Sequence, residues 1–311
     1  MSAPADLKRA AKRADLRSPE EIRAEKKKGR MGAWLILPGM LYMALFFAAP
    51  VVVLLSMSLF VKPEGADLGE FVPGWNFGTY AEVWSRYWPV LLRSFVFALI
   101  ATIAALIIAF PMAYLVAVRL RGKPLFKGIL LVLLIAPFFS SFILRTQAWK
   151  QILADEGWIV QTLKAVAILP ADGSLTATPF AVICGLTYNF LPFMMLPIYA
   201  SLERLDTRLL EASGDLYASP AQTFMKVTLP QSMPGVFAGT LLTFIPAAGD
   251  YVNAAILGNN RDTSMIGQVI DSRFFKVIDY PGAAALSFIL MVCILILVLI
   301  YIRRFGTKDL F

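Results

Sequence analysis

The chain has no histidine, and that absence removes the Ser-His-Asp and Cys-His relays on which much acyl-transfer catalysis rests. Its two cysteines, Cys184 and Cys293, stand far apart inside uncharged runs, so neither a soft-metal cluster nor an exposed disulfide is expected. Both read as packing residues. No Gly-x-x-x-x-Gly-Lys-Ser/Thr string is present, so the chain does not hydrolyse ATP through a loop of that kind. Charge is scarce as well: Asp, Glu, Lys and Arg make up 16% of the 311 residues, where a water-soluble domain carries about a quarter. The formal charge is +8, yet the basic residues form no stripe interleaved with aromatics, which excludes a nucleic-acid-reading face.

Apolar residues are what the chain has in quantity, at 58% with a mean hydropathy of +0.68, too much for a water-soluble domain of this size to hide. Runs free of Asp, Glu, Lys and Arg cover 31–61, 94–118, 128–144, 173–202, 227–249 and 280–302. A helix needs roughly 20 residues to cross the hydrocarbon layer. Five runs meet that length, and the third reaches it when extended over Phe126 to Thr146 with Lys127 and Arg145 snorkelling at its ends. The expectation is an all-α polytopic membrane protein with six transmembrane helices and a cytoplasmic loop that carries helices of its own.

The first 30 residues hold ten basic and five acidic side chains, ending in Lys26, Lys27, Lys28 and Arg30 just before the first run. Such a tail stays in the cytoplasm, whether it only attracts headgroups or does more. The first run is longer than a signal-peptide core, so it reads as a retained helix. Summed over alternate sides, Lys and Arg number 20 on the side of both termini and nine on the other. That asymmetry puts both termini inside, and the cluster Arg119, Arg121, Lys123, Lys127 marks an inner turn. Pro50, Pro111, Pro137, Pro192, Pro197 and Pro246 fall inside runs, where neighbouring helices re-satisfy the backbone; they are either packing kinks or gating hinges.

Between the fourth and fifth runs lies a long inner loop, Glu203 to Pro230, in which Leu202, Leu205, Leu209 and Leu216 recur at three, four and seven residues. Asp206 or Thr207 can cap a first helix, and Ser219 followed by Pro220 can open a second. Two readings follow from the physics: an interfacial helix lying in the headgroups, or a folded handle by which a partner moves the two spans.

The residues themselves favour the second. Glu211-Ala212-Ser213, then Tyr217, then Val227-Thr228-Leu229-Pro230 match the spacing Glu-Ala-Ala, three residues, Gly, nine residues, Ile-x-Leu-Pro. With this motif the chain resembles the permease family of binding-protein-dependent ABC importers, over Trp88 to the C-terminus. Charge and hydropathy divide the rest into a cytoplasmic basic tail at 1–30 and a first helix with outer loop at 31–87, and the resemblance implies a transport core of five helices at 88–311. It implies that 203–230 forms coupling helices for an ABC ATPase dimer, with Glu211 as polar contact and Ala212 and Ser213 as small residues permitting close approach. Gly214, Asp215, Tyr217, Ser219, Leu229 and Pro230 complete that surface. Tyr217 replaces the family's glycine: either it takes a strained positive φ, or it keeps a helical φ and fills a pocket on the ATPase. A second homologous permease, an extracytoplasmic solute-binding protein and the inner membrane of a bacterium are further implied, with ATP and Mg used by the partner and no cofactor on this chain.

Ala136-Pro137-Phe138-Phe139, Arg145-Thr146-Gln147-Ala148-Trp149, Tyr188-Asn189-Phe190-Leu191-Pro192-Phe193-Met194 and Gly249-Asp250-Tyr251-Val252 look most like spermidine and putrescine permeases, a branch whose resemblance also leaves another small solute as the alternative. Asp250 follows Val236 by 14 positions, roughly 21 Å along a continuous helix, and a carboxylate at that depth is by default a functional site. It pairs either with a substrate ammonium, Tyr251 adding a cation–π face, or with Arg145 or Arg93. Thr243, Asp250 and Asn253 fall on approximately one helical face; Asn189 is either a substrate contact or an interhelical hydrogen bond. Trp149 joins this candidate path. In the outer segment 147–178, Trp158, Ile159, Leu163 and Val166 suggest a short surface helix that either receives the solute-binding protein or packs over the pore. A secondary transporter is the rival class, but no internal repeat accompanies Asp250.

Overall fold

The computed structural model describes residues 36–258 and 260–305. The basic tail 1–30 and the start of the first run lie outside the described residues. Among the described residues there is no β-strand, only an isolated bridge between Val61 and Val72. The chain divides between Ser56 and Met57 into two compact units.

Helix α1, Ile36–Ser58, widens into a π-helical turn at Ala44–Ala48. The same device recurs at Phe224–Thr228. These two wide turns end two residues before a proline, Pro50 and Pro230, where a donor is missing from the ladder and the register must adjust; those at Leu115–Arg119, Ala254–Gly258 and Arg273–Val277 have no proline in that place.

The second unit is organised around α2, Gly78–Arg119, whose 42 residues span roughly 60 Å, twice the hydrocarbon thickness. Its segment 78–93 carries Glu82, Arg86 and Arg93 and precedes the apolar run. Below them a small-residue stripe, Ala98, Ala101, Ala105, Ala109, Ala113 and Ala117, recurs every three or four positions with at most 1% exposure. Such a stripe lets helices approach closely where lipid offers no competing hydrophobic drive. Packed on it are α6, Pro179–Glu203, and α9, Leu229–Ala248. Gly235 and Gly239 of α9 face α6 so closely that a Cβ would lie 2.5 Å from the Pro197 carbonyl oxygen and 2.8 Å from that of Met194. This Gly-x-x-x-Gly contact, with Met194, Met195, Ile198 and Leu202, closes the inner half of the core.

The third run is not one straight helix. It forms α3, Pro124–Phe139, and α4, Phe142–Ile152, which meet at a bend of 99°. Pro137 tightens the end of α3 into a 3-10 turn, Ser141 takes an extended backbone as the cap of α4, and Arg145 Nη1 donates to the Pro137 carbonyl across the bend at 2.5 Å. A count of uncharged residues cannot see this break. By length and apolarity the described residues contain four spanning helices, or five if the bent pair is one span, so a count of six does not emerge. The fifth run supplies α9, which has 20 residues but includes Gln, Ser, Thr, Gly and three prolines.

The expected outer surface helix is α5, Trp158–Ala165. Trp158 is 69% exposed, while Val160 is fully buried. Beyond α9 come a π-helical turn at Ala254–Gly258, α10 at Ile266–Ser272 and the final helix α11, Tyr280–Phe305. Two short helices, α7 at Thr207–Asp215 and α8 at Pro220–Thr223, fill the inner loop.

Candidate coupling loop and buried polar node

The inner loop folds as its caps dictate. Asp206 Oδ1 accepts from the backbone N–H of Arg208 at 2.9 Å and starts α7. Ser219 starts α8 with a reciprocal capping box: its Oγ accepts from the Gln222 N–H, and its own N–H donates to Gln222 Oε1 at 2.9 Å. Pro220 occupies the first turn, where its missing donor costs nothing. The two helices are tied by Ser213 Oγ, which donates to the Leu210 carbonyl at 2.7 Å and lies 2.9 Å from Thr223 Oγ1. Ser213 is thus 9% exposed and turned inward, whereas Glu211, Ala212, Gly214 and Asp215 are exposed. Of the leucine spacing, Leu202 and Leu205 are buried and Leu209 and Leu216 are not.

Tyr217 takes the left-handed conformation, φ +55°. The Tyr217 N–H donates to Gly214 O and the Ala218 N–H to Ser213 O, at 2.9 and 3.0 Å, the paired bonds that end a helix on a left-handed residue. The helical-φ alternative is therefore not what forms. The ring is 97% exposed beside Leu216 at 80%.

Both ends of the loop are braced against the core. At its entry, Arg121 reaches from the α2–α3 turn to the carbonyls of Glu203 at 2.6 Å and Leu205 at 3.1 Å, placing a cation on the C-terminal dipole of α6. Lys127 Nζ adds an ion pair to Glu203 Oε1 at 2.5 Å and sits 5.6 Å from the Tyr199 ring centroid. At its exit, Phe224 packs edge-on against Phe110 and Tyr114 of α2, centroids 5.5 and 6.4 Å apart. Leu229 is half-buried and Pro230 exposed at the start of α9.

The candidate solute residues are arranged differently from a single helical stripe. α9 ends at Ala248 with Gly249 as its cap, so Thr243 shares no continuous face with Asp250 and Asn253, and a helical rise from Val236 does not reach Asp250. Asp250, 8% exposed, accepts the Asn253 N–H at 2.8 Å through Oδ1. Among the described residues no cation forms an ion pair with it. Arg93 donates instead to Ser264, at 2.9 and 2.8 Å, and Arg145 is held by Pro137, Phe138 and Phe142.

Asn253 and Asn189 meet at a buried node: Asn189 Nδ2 donates to Thr146 Oγ1 at 2.9 Å and to Asn253 Oδ1 at 3.0 Å, joining α4, α6 and the turn after α9. Asn189 Oδ1, Asn253 Nδ2 and Thr243 Oγ1 are buried without a hydrogen-bond partner among the described residues. Tyr251 is 47% exposed, and Trp149 stacks edge-on against Tyr188 at 5.5 Å. Sequence reasoning did not single out Thr146, Arg121 or Phe224 as site residues. Arg121 had a signal, its place in the basic cluster, and Thr146 had one in its place within the Arg145–Trp149 string.

A close-packed bundle of helices long and apolar enough to span a bilayer, with a capped, cross-braced helical knob between α6 and α9, has the architecture of a multi-pass membrane protein. The family model "Binding-protein-dependent transport system inner membrane component" matches residues 109–305, and the chain belongs to that family. Among its relatives, the spermidine/putrescine transport system permease protein PotB of Escherichia coli (strain K12) is 39% identical over 217 residues, 70% of this chain and 78% of that protein. The inner membrane ABC transporter permease protein YdcU of the same organism is 35% identical over 231 residues, 71% of this chain and 72% of that protein. The fold is shared with a bacterial ABC transporter involved in import of the acidic polysaccharide alginate, at TM-score 0.66 and 15% identity over 93% of this chain and 99% of that one. It is shared too with the MetNI methionine ABC transporter in inward-facing form, at TM-score 0.54 and 18% identity over 71% and 95%. The protein is a multi-pass ABC importer permease.

Proposed function

We propose that this permease moves polyamines or a closely related small cationic solute inward, driven by a separate ATPase dimer that docks on residues 203–230. ATP and Mg act on that partner. A second homologous permease completes the pore, an extracytoplasmic solute-binding protein delivers the solute, and both termini lie in the cytoplasm. The observation that carries this reading is the inner knob: α7 and α8 are capped, tied to each other through Ser213 and Thr223, and braced on α2 and α6, while Glu211, Ala212, Gly214, Asp215 and Tyr217 face outward. A passive headgroup helix needs no such bracing, whereas a lever does. The substrate assignment is supported by the likeness to PotB and by Asp250, a carboxylate 8% exposed with no cation paired to it among the described residues. A cationic solute passing this point supplies the counter-charge such a carboxylate favours.

Glu211→Arg tests the docking site, because it reverses an exposed charge without touching the loop's internal bonds. The variant inserts and assembles its bundle normally, but ATP-driven uptake into proteoliposomes is lost. Wild-type uptake in this variant would remove Glu211 from the docking surface.

A further inference from the structure

The inner loop is covalently continuous with α6 and α9, so these are the helices through which a docking partner is expected to act. The contacts add a third. Arg121 belongs to the turn that follows α2, and it holds the carbonyls of Glu203 and Leu205 with three hydrogen bonds of 2.6 to 3.1 Å. Lys127, four residues into α3, grips the side chain of Glu203 at 2.5 Å. At the other end of the loop, Phe224 lies edge-on against Phe110 and Tyr114, both in the last turns of α2. Two chemically unrelated fastenings therefore hold the loop: an aromatic cluster bolts its exit to α2, and a cation on helix-end carbonyls bolts its entry to the turn that directly continues α2, two residues past Arg119. Around them Ala113, Val116 and Ala117 share one buried cluster with Ile198 and Leu202, and packed cores transmit displacement rather than absorb it.

We infer that Arg121 and Phe224 are positioning residues that deliver the loop's displacement to α2, so that the longest helix of the bundle moves with the knob. The inference rests on the docking reading above and specifies which helix that docking drives. Arg suits the entry bolt because its planar fork holds two carbonyls at once; a lysine retains the charge but presents a single point donor. Phe224, the first residue of the wide turn Phe224–Thr228, suits the exit because its ring lies edge-on against two rings of α2.

The test uses the complete complex, with both permeases, the ATPase dimer and the solute-binding protein, in proteoliposomes where uptake and ATP hydrolysis are measured side by side. Arg121→Ala and Phe224→Ala each lower the solute moved per ATP at least tenfold, while receptor-stimulated hydrolysis stays within twofold of wild type. Arg121→Lys and Phe224→Leu, which keep charge or apolar contact and preserve assembly, restore only part of that ratio. Uptake and hydrolysis falling in step would show fastenings that merely hold the fold, and an unchanged ratio in the Lys and Leu variants would show that the fork and ring carry no displacement; either result overturns the inference. A wild-type complex whose hydrolysis ignores the receptor would overturn the docking reading itself and this inference with it.

Discussion

Replacing Tyr217 by glycine separates two roles of one residue. At φ +55° an L side chain costs about 1–2 kcal/mol against glycine, which accepts the left-handed region freely. The ring is 97% exposed, so its removal forfeits almost no packing within the chain. Glycine's larger freedom in the unfolded loop opposes the gain by roughly 0.5–1 kcal/mol. At the middle of both ranges the net for Tyr217→Gly is about 0.7 kcal/mol of added stability in α7. Hydrogen exchange at its backbone amides reads this directly: RT is ~0.6 kcal/mol, so the Leu216 to Ala218 amides that close the helix exchange about two- to fivefold more slowly. Tyr217→Ala keeps the strained φ and removes the ring, so it exchanges like wild type. If the ring also docks on the ATPase, both variants lose uptake, although one has the firmer loop. Unchanged or faster exchange in Tyr217→Gly would refute the claim that Tyr217 holds a strained turn.

Asp250→Asn removes the charge but keeps an acceptor for the Asn253 N–H; a hydrogen bond to a charged group is worth about 1.5–3 kcal/mol, so half-saturation for a polyamine rises roughly ten- to 150-fold, and unaltered uptake kinetics would take Asp250 out of the path. Gly235→Ala drives a Cβ to 2.5 Å from the Pro197 carbonyl oxygen, costing roughly 1–3 kcal/mol; thermal unfolding of the detergent-solubilised protein shifts down, and an unshifted transition would show that α6 and α9 can separate freely there. Ser219→Ala deletes one half of the capping box and costs about 1 kcal/mol locally, seen as faster amide exchange at Gln222, which equal exchange rates would contradict.

What was legible in the sequence is what short-range chemistry decides. Asp206, Ser219 and Pro220 announce helix starts because a cap bonds two or three residues away, and both starts form as read. That the loop carries two helices follows from the same local signals. Long-range pairings were not visible: Arg121 meets residues more than 80 positions away, and Asn189 meets Thr146 and Asn253 across 43 and 64 positions. Hydropathy registered the third run but not its 99° bend, because Pro137, Ser140 and Ser141 are uncharged. Periodicity extended through Gly249 placed Asp250 on a stripe with Thr243, although the helix had already ended at Ala248. Tyr217 was flagged by a missing glycine, but only the backbone shows that the chain accepts the strain rather than avoiding it.

Proteoliposomes test the central claim most directly. With this chain, its companion permease, the ATPase dimer, the receptor and ATP all present, a polyamine accumulates inside, and omitting any one component stops it. Accumulation by this chain alone, with no nucleotide supplied, would contradict an externally driven lever at residues 203–230.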